Sequence, residues 1–413
     1  MSMIKSITLL GSSSGRNAGD AALMSGIMDS IDQACGRNIL YEIPTIKPEF
    51  IRKSYTNRTK PVSIMPWNLS IKILGLPTYQ SILRTDLSLV FDAVLFDRSL
   101  YNPLFNFLSS FYLYFPPAKR KGKRFGFFNV TAGPVRTKQG QRMLRELSNT
   151  VDFITVRDQA SYDVLMDIGV TNPNILVTAD AALNAPMSPP ERVSQILKQL
   201  GLSPDKEIFA ININAYIDTW ADKTRESLGK EKFLSIMAKA LNKVLGEIDA
   251  QVLFVSTQHL DEPITKELMG LAGSGNKTAL LSNTQYSHYD VKGVLGKSSL
   301  LFGMRVHAMI LCSSALTPII GLSYLPKVDH YYRSLGIPER TISFDEFSEE
   351  SLVRHIRLGW EARAQLKKLL QSRIPVLQAD AKKAAQLVAA IAQGKDITRA
   401  IREMSQEPKL AVG

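Results

Sequence analysis

Among its 413 residues the chain has only two cysteines, Cys35 and Cys312, and five histidines. The cysteines are far apart and read as small core residues, so no disulfide framework is predicted. No two of His259, His288, His307, His330 and His355 stand at metal-ligand spacing, which argues against a metal site. No apolar run reaches the roughly 18–20 residues that cross a bilayer. The first ten residues lack the basic region, apolar stretch and cleavage site of a secretory signal. These absences point to the cytoplasm. G-x-G-x-x-G, P-loop and G-x-S-x-G patterns are missing as well, so no motif names a dinucleotide, a nucleoside triphosphate or a serine hydrolase.

Acid is lacking in one place above all. From Lys119 to Arg145 there are nine basic residues and no acidic one, within a net charge of +12. Such a block suits a phosphorylated substrate, an anionic lipid or a nucleic acid, and it equally suits a plain solvated face. Zinc-knuckle spacing, RNA-binding aromatic signatures and basic zippers do not accompany it, so no nucleic-acid partner is predicted. The stretch FNFLSSFYLYFPPAKRKGKR joins an aromatic run to the cluster. It reads either as a peripheral contact with an anionic membrane or as a buried helix followed by a basic loop.

What is present is alternation. SITLLG, a helix over 20–35 and ILYEIP open the chain, and strands and helices then alternate through NILVTAD. Four prolines, Pro186, Pro189, Pro190 and Pro204, interrupt the pattern. It resumes with IFAININAY, QVLFVSTQ, TALLSN, SLLFGMR and TPIIGLSY, each followed by a helical segment, and 350–393 is helical. Strand–helix alternation of this kind predicts parallel, helix-covered sheets. The expected organisation is an N-terminal α/β domain at 1–185, a linker at 186–206, a second α/β domain at 207–349, and a C-terminal helical segment and tail at 350–413. Two Rossmann-like domains facing a cleft would place ligands at the loops after the strands.

Those loops hold the candidate chemistry. GSSSGRNAGDAAL is a small-residue turn between a strand and a helix, a place where backbone and helix N–H groups can meet a polar ligand. SLLFGMRVH delivers Arg305 and His307 to a strand end inside an otherwise apolar segment. Burying either unpaired is costly, so each needs a partner or a ligand. TPIIGLSYLPK delivers Tyr324 and Lys327 to the same edge. DFITVRD ends on Arg157, for which Asp180 offers a structural partner, and Asp158 reads as a helix cap. STQHLDEP contributes His259 and Asp261, an ordinary loop pairing.

Three blocks carry a resemblance. GSSSGRNAGDAAL looks like the G-x-x-N-x-G-D-x-A-[IL] signature of the polysaccharide pyruvyl transferases. The block from GPVRTKQGQ through ILVTADAAL is similar to the middle of that family, and GMRVHAMILCSSALTPIIGLSYLPKV to its C-terminal R-x-H-A…Y-x-x-K signature. The resemblance implies a GT-B-like fold with C-terminal helices. It also implies transfer of pyruvate from phosphoenolpyruvate to two hydroxyls of a sugar, in a polysaccharide or its lipid-linked precursor. A cyclic ketal forms and phosphate is released; no cofactor beyond the donor is called for. On this reading Arg305 and Arg157 hold the donor's anionic groups with help from Lys327, His307 is the acid/base, and Asn17, Gly19 and Asp20 line the site. The chain departs from the family in two places. It lacks a GGG turn after LSLVFDAVLFD, and it has Asn214 where an arginine is usual. A nucleotide-sugar glycosyltransferase on the same fold, or a catalytically silent scaffold that binds glycan or membrane, are the alternatives.

Overall fold

The computed structural model describes residues 4–36, 38–63, 75–98, 100, 106–215, 228–272 and 275–406. Every candidate site residue is among them. The parts of ININAYIDTW from Tyr216 onward and of LFDRSLYN at Ser99 and Tyr101–Asn102 lie outside them.

The chain divides into two compact units. The first contains residues up to Gly15, then Leu23–Ala185, and the chain from Leu377. The second contains Arg16–Ala22 and Pro186–Val376. Among the described residues the first unit has seven strands: β1 Ser6–Leu10, β2 Leu40–Thr45, β3 Thr59–Ser63, β4 Leu87–Phe91, β5 Arg124–Val130, β6 Phe153–Val156 and β7 Ile175–Val177. They pair in the order β3-β2-β1-β4-β5-β6-β7, and every pairing is parallel.

The second unit has six: β8 Ile208–Asn212, β9 Gln251–Ser256, β10 Thr278–Ser282, β11 Leu300–Gly303, β12 Ile319–Ser323 and β13 Thr341–Ser343. Their order is β10-β9-β8-β11-β12-β13, again all parallel. Both orders are that of a doubly wound Rossmann sheet, reversing direction between β1 and β4 and between β8 and β11. Strands such as LSLVF, IFAIN and QVLFVS are buried at every position because helices cover both faces.

Helix ends follow the local sequence. Thr137 accepts the N–H of Gly140 and Asp158 that of Ser161, each opening the next helix. Ser287 and Asp290 close a reciprocal capping box on the helix His288–Leu295. The aromatic stretch near 107 is the helix Phe107–Arg120, whose Leu108, Phe111, Phe115 and Ala118 are buried, and Phe115 stacks on Phe125 of β5 at 4.0 Å. Of the cysteines, Cys312 is buried and Cys35 only half-buried; both are free thiols. Among the described residues no helix is long and apolar enough to cross a membrane.

Four segments add to the organisation drawn from the sequence. Residues Arg16–Ala22 count with the second unit, because their backbone is bonded to strand ends there, as described below. The expected linker contains the helix Pro190–Gln199, which buries Val193, Ile196 and Leu197. Its arrival is fixed by Ser188 N–H on the Tyr289 carbonyl and by Arg192 paired with Asp290. The long helix Arg363–Ala392 is divided, its residues from Leu377 counting with the first unit. Within the expected tail lies the helix Ile397–Gln406, held by buried Ile401 and by Thr398 bonded to Asn174.

The helix His288–Leu295 also buries a lysine. Lys292 is 2% exposed, and burial pushes its ammonium from 10.5 down to about 8. Between pH 8 and 10.5 the unfolded chain therefore binds more protons than the folded one, and stability climbs as pH rises through that window. Lys292→Met is expected to remove that climb. Urea titrations of both proteins at several pH values check it.

Candidate active site

The second unit's sheet reverses between β8 and β11, and polar side chains collect at the carboxyl ends of these strands and their neighbours. Asn212, the last residue of β8, is fully buried. Its Nδ2 donates to the Val255 carbonyl at 2.9 Å and its Oδ1 accepts the Arg305 N–H at 3.0 Å. One side chain thus ties β9, β8 and the turn after β11 together.

Arg305 ends that turn and stands at the start of the helix Val306–Ser314. Its Nε and Nη2 donate to the two carboxylate oxygens of Asp261, each at 2.7 Å. Asp261 is wholly buried, and its Oδ1 also accepts the Ala215 N–H at 2.9 Å. A buried carboxylate without such partners would be strongly destabilising, so each member of the pair requires the other. The Tyr324 phenol lies against Asn214 and Arg305, and burial holds it above its usual range. Lys327 is the second residue of the helix Pro326–Leu335, which follows β12. Neither this helix nor Val306–Ser314 has its first turn capped by a side chain at its N-cap residue, Leu325 and Arg305 respectively.

His307 is the second residue of Val306–Ser314 and is 9% exposed. Its Nδ1 stands 3.6 Å from Asp20 Oδ1. Gly19 packs directly on the imidazole: a Cβ there would come within 2.2 Å of the His307 Cβ and 2.5 Å of Nδ1. The turn that carries both residues is laced to this sheet. Asn17 bridges to Gln258, and the Ala18 N–H donates to the Thr257 carbonyl at 2.8 Å. The Arg16 carbonyl accepts from His259 N–H and from Asn283 Nδ2, each at 3.0 Å. Asn17 Oδ1 accepts the Gly19 N–H at 2.8 Å and so starts the helix Ala18–Cys35. The second unit therefore carries Asn17, Gly19, Asp20, Arg305, His307 and Lys327.

Arg157 belongs to the first unit. It follows β6, with its side chain 7% exposed. Burial opposes its charge, and Asp180, Asp92 and Asp158 more than offset that, holding the guanidinium protonated. Nη1 donates to Asp180 Oδ2 at 2.8 Å. Arg157 thus has the structural partner that the sequence offered, Asp180, with Asp92 and Asp158 adding to the negative surroundings of its guanidinium.

Asp261, Asn212 and Tyr324 were the residues sequence reasoning undervalued. Asp261 sits in a loop where an acid is ordinary. The asparagine in IFAIN, however, is a polar residue ending an apolar strand, and that is a readable signal.

A model of the polysaccharide pyruvyl transferase family matches residues 17–326. The chain belongs to the polysaccharide pyruvyl transferase family. The match begins at Asn17 and ends at Pro326, so it takes in Gly19, Asp20, Arg157, Arg305 and His307 and stops one residue short of Lys327. This pyruvyl transferase family member shares its GT-B-like fold with sugar-nucleotide proteins. It superposes on the UDP-GlcNAc 2-epimerase of Neisseria meningitidis bound to UDP-GlcNAc with a TM-score of 0.62 and 12% identity, over 95% of this chain and 100% of that one. A glycosyltransferase of Rickettsia africae gives 0.59 at 9% identity, over 95% and 100% of the two chains. Anabaena HepE in complex with UDP and glucose gives 0.53 at 12%, over 98% of each. No curated protein is a significant sequence match.

Three variants test the geometry. Gly19→Ala would ordinarily favour a helix, by up to about 1 kcal/mol. Here it is expected to lower the melting temperature, because the methyl group overlaps the His307 ring. Asp261→Asn is expected to cost about 3 kcal/mol in urea unfolding, by removing the charge with which the mostly buried Arg305 guanidinium is paired. The paired change Asp261→Leu with Arg305→Met should cost less than Asp261→Asn alone.

Proposed function

We propose that the carboxyl edge of the second unit's sheet binds phosphoenolpyruvate and that the protein transfers its pyruvyl group to two hydroxyls of a sugar. The observation that carries this reading is the grouping of Arg305 with His307 and Asp20 at the point where the sheet reverses, in a chain of the pyruvyl transferase family. Phosphoenolpyruvate brings a carboxylate and a phosphate. Two helix amino ends without N-cap side chains, after β11 and β12, offer N–H groups and a favourable dipole to such anions, and Lys327 adds a cation in the first turn of the second helix. Arg305, held flat by Asp261, adds a guanidinium whose orientation is set before the ligand arrives.

In the reaction, a proton goes to the methylene carbon of the enol phosphate. The first sugar hydroxyl adds at the adjacent carbon and gives up its proton. The C–O bond to phosphate breaks, and the second hydroxyl closes the cyclic ketal, its proton leaving with the phosphate. Phosphate is the only other product. The steps need one group that gives and takes protons near neutral pH, and an imidazole serves there. His307 is assigned that role. Asp20, beside Nδ1, orients the ring, and Gly19 allows the close approach. Asn214, in the position where an arginine is usual, makes donor binding rest more heavily on Arg305 and Lys327.

The sugar-nucleotide ligands of the solved neighbours motivate a second reading, a glycosyl transfer from a nucleotide sugar on the same fold. One assay separates the two. Phosphate release from phosphoenolpyruvate is followed with a panel of free and lipid-linked glycosides. Acceptor-dependent release is expected from the wild type and at least about 100-fold less from His307→Ala. Release that survives that substitution removes His307 from the chemistry. Absence of release, together with saturable binding of a uridine diphosphate sugar, would replace the proposal by the second reading.

A further inference from the structure

The helix Phe107–Arg120 sends most of its apolar side chains into the core of the first unit, but not all. Leu113 is 64% exposed, and Leu76, which opens the helix Leu76–Arg84, is 50% exposed. Their two helices meet through the residues beside them. Gly75, next to Leu76, abuts the Tyr114 hydroxyl so closely that a Cβ would come within 1.9 Å of it. Tyr114 in turn packs on Tyr79 with ring centroids 5.8 Å apart. Both tyrosines are half-buried. The Lys121 ammonium stands 5.9 Å from the Tyr79 ring. On the helix itself, Leu113, Pro117 and Arg120 recur at a spacing that shares one face.

From Lys119 to Arg124 the chain that leaves this helix carries five cations and no acid. Lys119 is matched by Asp152, but among the described residues Arg120, Lys121 and Arg124 make no ion pair, and all three are exposed. Exposed leucines beside half-buried tyrosines, rimmed by unneutralised cations, have the composition of a surface that rests at a lipid–water interface. A protein partner's apolar groove would account for the leucines and not for the cations; nucleic acid would account for the cations and not for the leucines.

We propose that this face of the first unit docks on an anionic lipid surface, with Leu113 and Leu76 entering the headgroup region and Arg120, Lys121 and Arg124 pairing with lipid phosphates. The inference rests on the first unit alone and is independent of the chemistry assigned to the second.

The test is flotation of the whole protein with vesicles at about 0.1 M salt. It is expected to float with phosphatidylcholine vesicles containing phosphatidylglycerol and not with phosphatidylcholine alone. Each exposed cation contributes about 1 kcal/mol near such a surface. Arg120→Gln, Lys121→Gln and Arg124→Gln together should therefore weaken binding about 100-fold. Leu113→Ser with Leu76→Ser should weaken it about tenfold. These positions are exposed, and an unchanged melting temperature confirms that each variant is folded. Failure of the wild type to float with the anionic vesicles overturns the proposal. So does binding that survives loss of both leucines, which would mean a charge-only contact of the kind nucleic acid makes. Loss of a dimer in sedimentation of the leucine variant would assign the face to a second copy of the chain instead.

Discussion

The buried pair of Arg305 and Asp261 is the constraint on which the second unit's site depends. Neither residue is tolerable alone in that position: a carboxylate with no exposure and a mostly buried guanidinium each need an opposite charge at bonding distance. The pair brings the loop after β9 to the turn after β11, and Asn212 anchors that turn from β8. The start of the helix Val306–Ser314 is thereby fixed, and with it the direction in which His307 leaves the backbone. Because the two bonds to Asp261 engage Nε and Nη2, the plane of the guanidinium is set as well. Positioning and charge are thus settled by one interaction before any ligand is considered.

Much of this fold was legible in the residues themselves. Apolar strands with helices between them give parallel sheets, and helices do follow the strands, beginning at Lys138, Gln159, Lys230, Glu262, His288 and Val306. The order of strands within each sheet was not legible, since alternation alone leaves several windings open. Strand β13, three residues long, has too little pattern to be read at all. The aromatic run near 107 illustrates a different limit. Its hydrophobicity fits a core helix and a membrane contact equally well, and only burial separates Phe111 and Phe115, which face the core, from Leu113, which does not.

The site was readable where sequence neighbours are also spatial neighbours. Arg305 and His307 stand out because they are polar in an apolar segment. Asp261 lies 44 residues from Arg305 and could be recognised only once β9 and β11 were seen to end at the same edge. Arg157 shows the converse. Its place at a strand end suggested a ligand contact and the sequence offered Asp180 as a structural partner; the pairing with Asp180 is present, with Asp92 and Asp158 close by. A strand-end arginine is informative only when its acidic neighbours are known.

The short strip Arg16–Ala22 has an implication of its own. It is encoded near the start of the chain, between residues that count with the first unit, yet it supplies the second unit with Gly19 and Asp20. A cut at Ala185, where the proline-rich stretch invites one, would not yield two self-sufficient halves. A fragment beginning at Pro186 would retain the imidazole and lose the carboxylate and the glycine seat beside it. The same bookkeeping applies to recombination between relatives: exchange of amino-terminal segments exchanges part of the other half's machinery. The two units are therefore heritable only as a matched set.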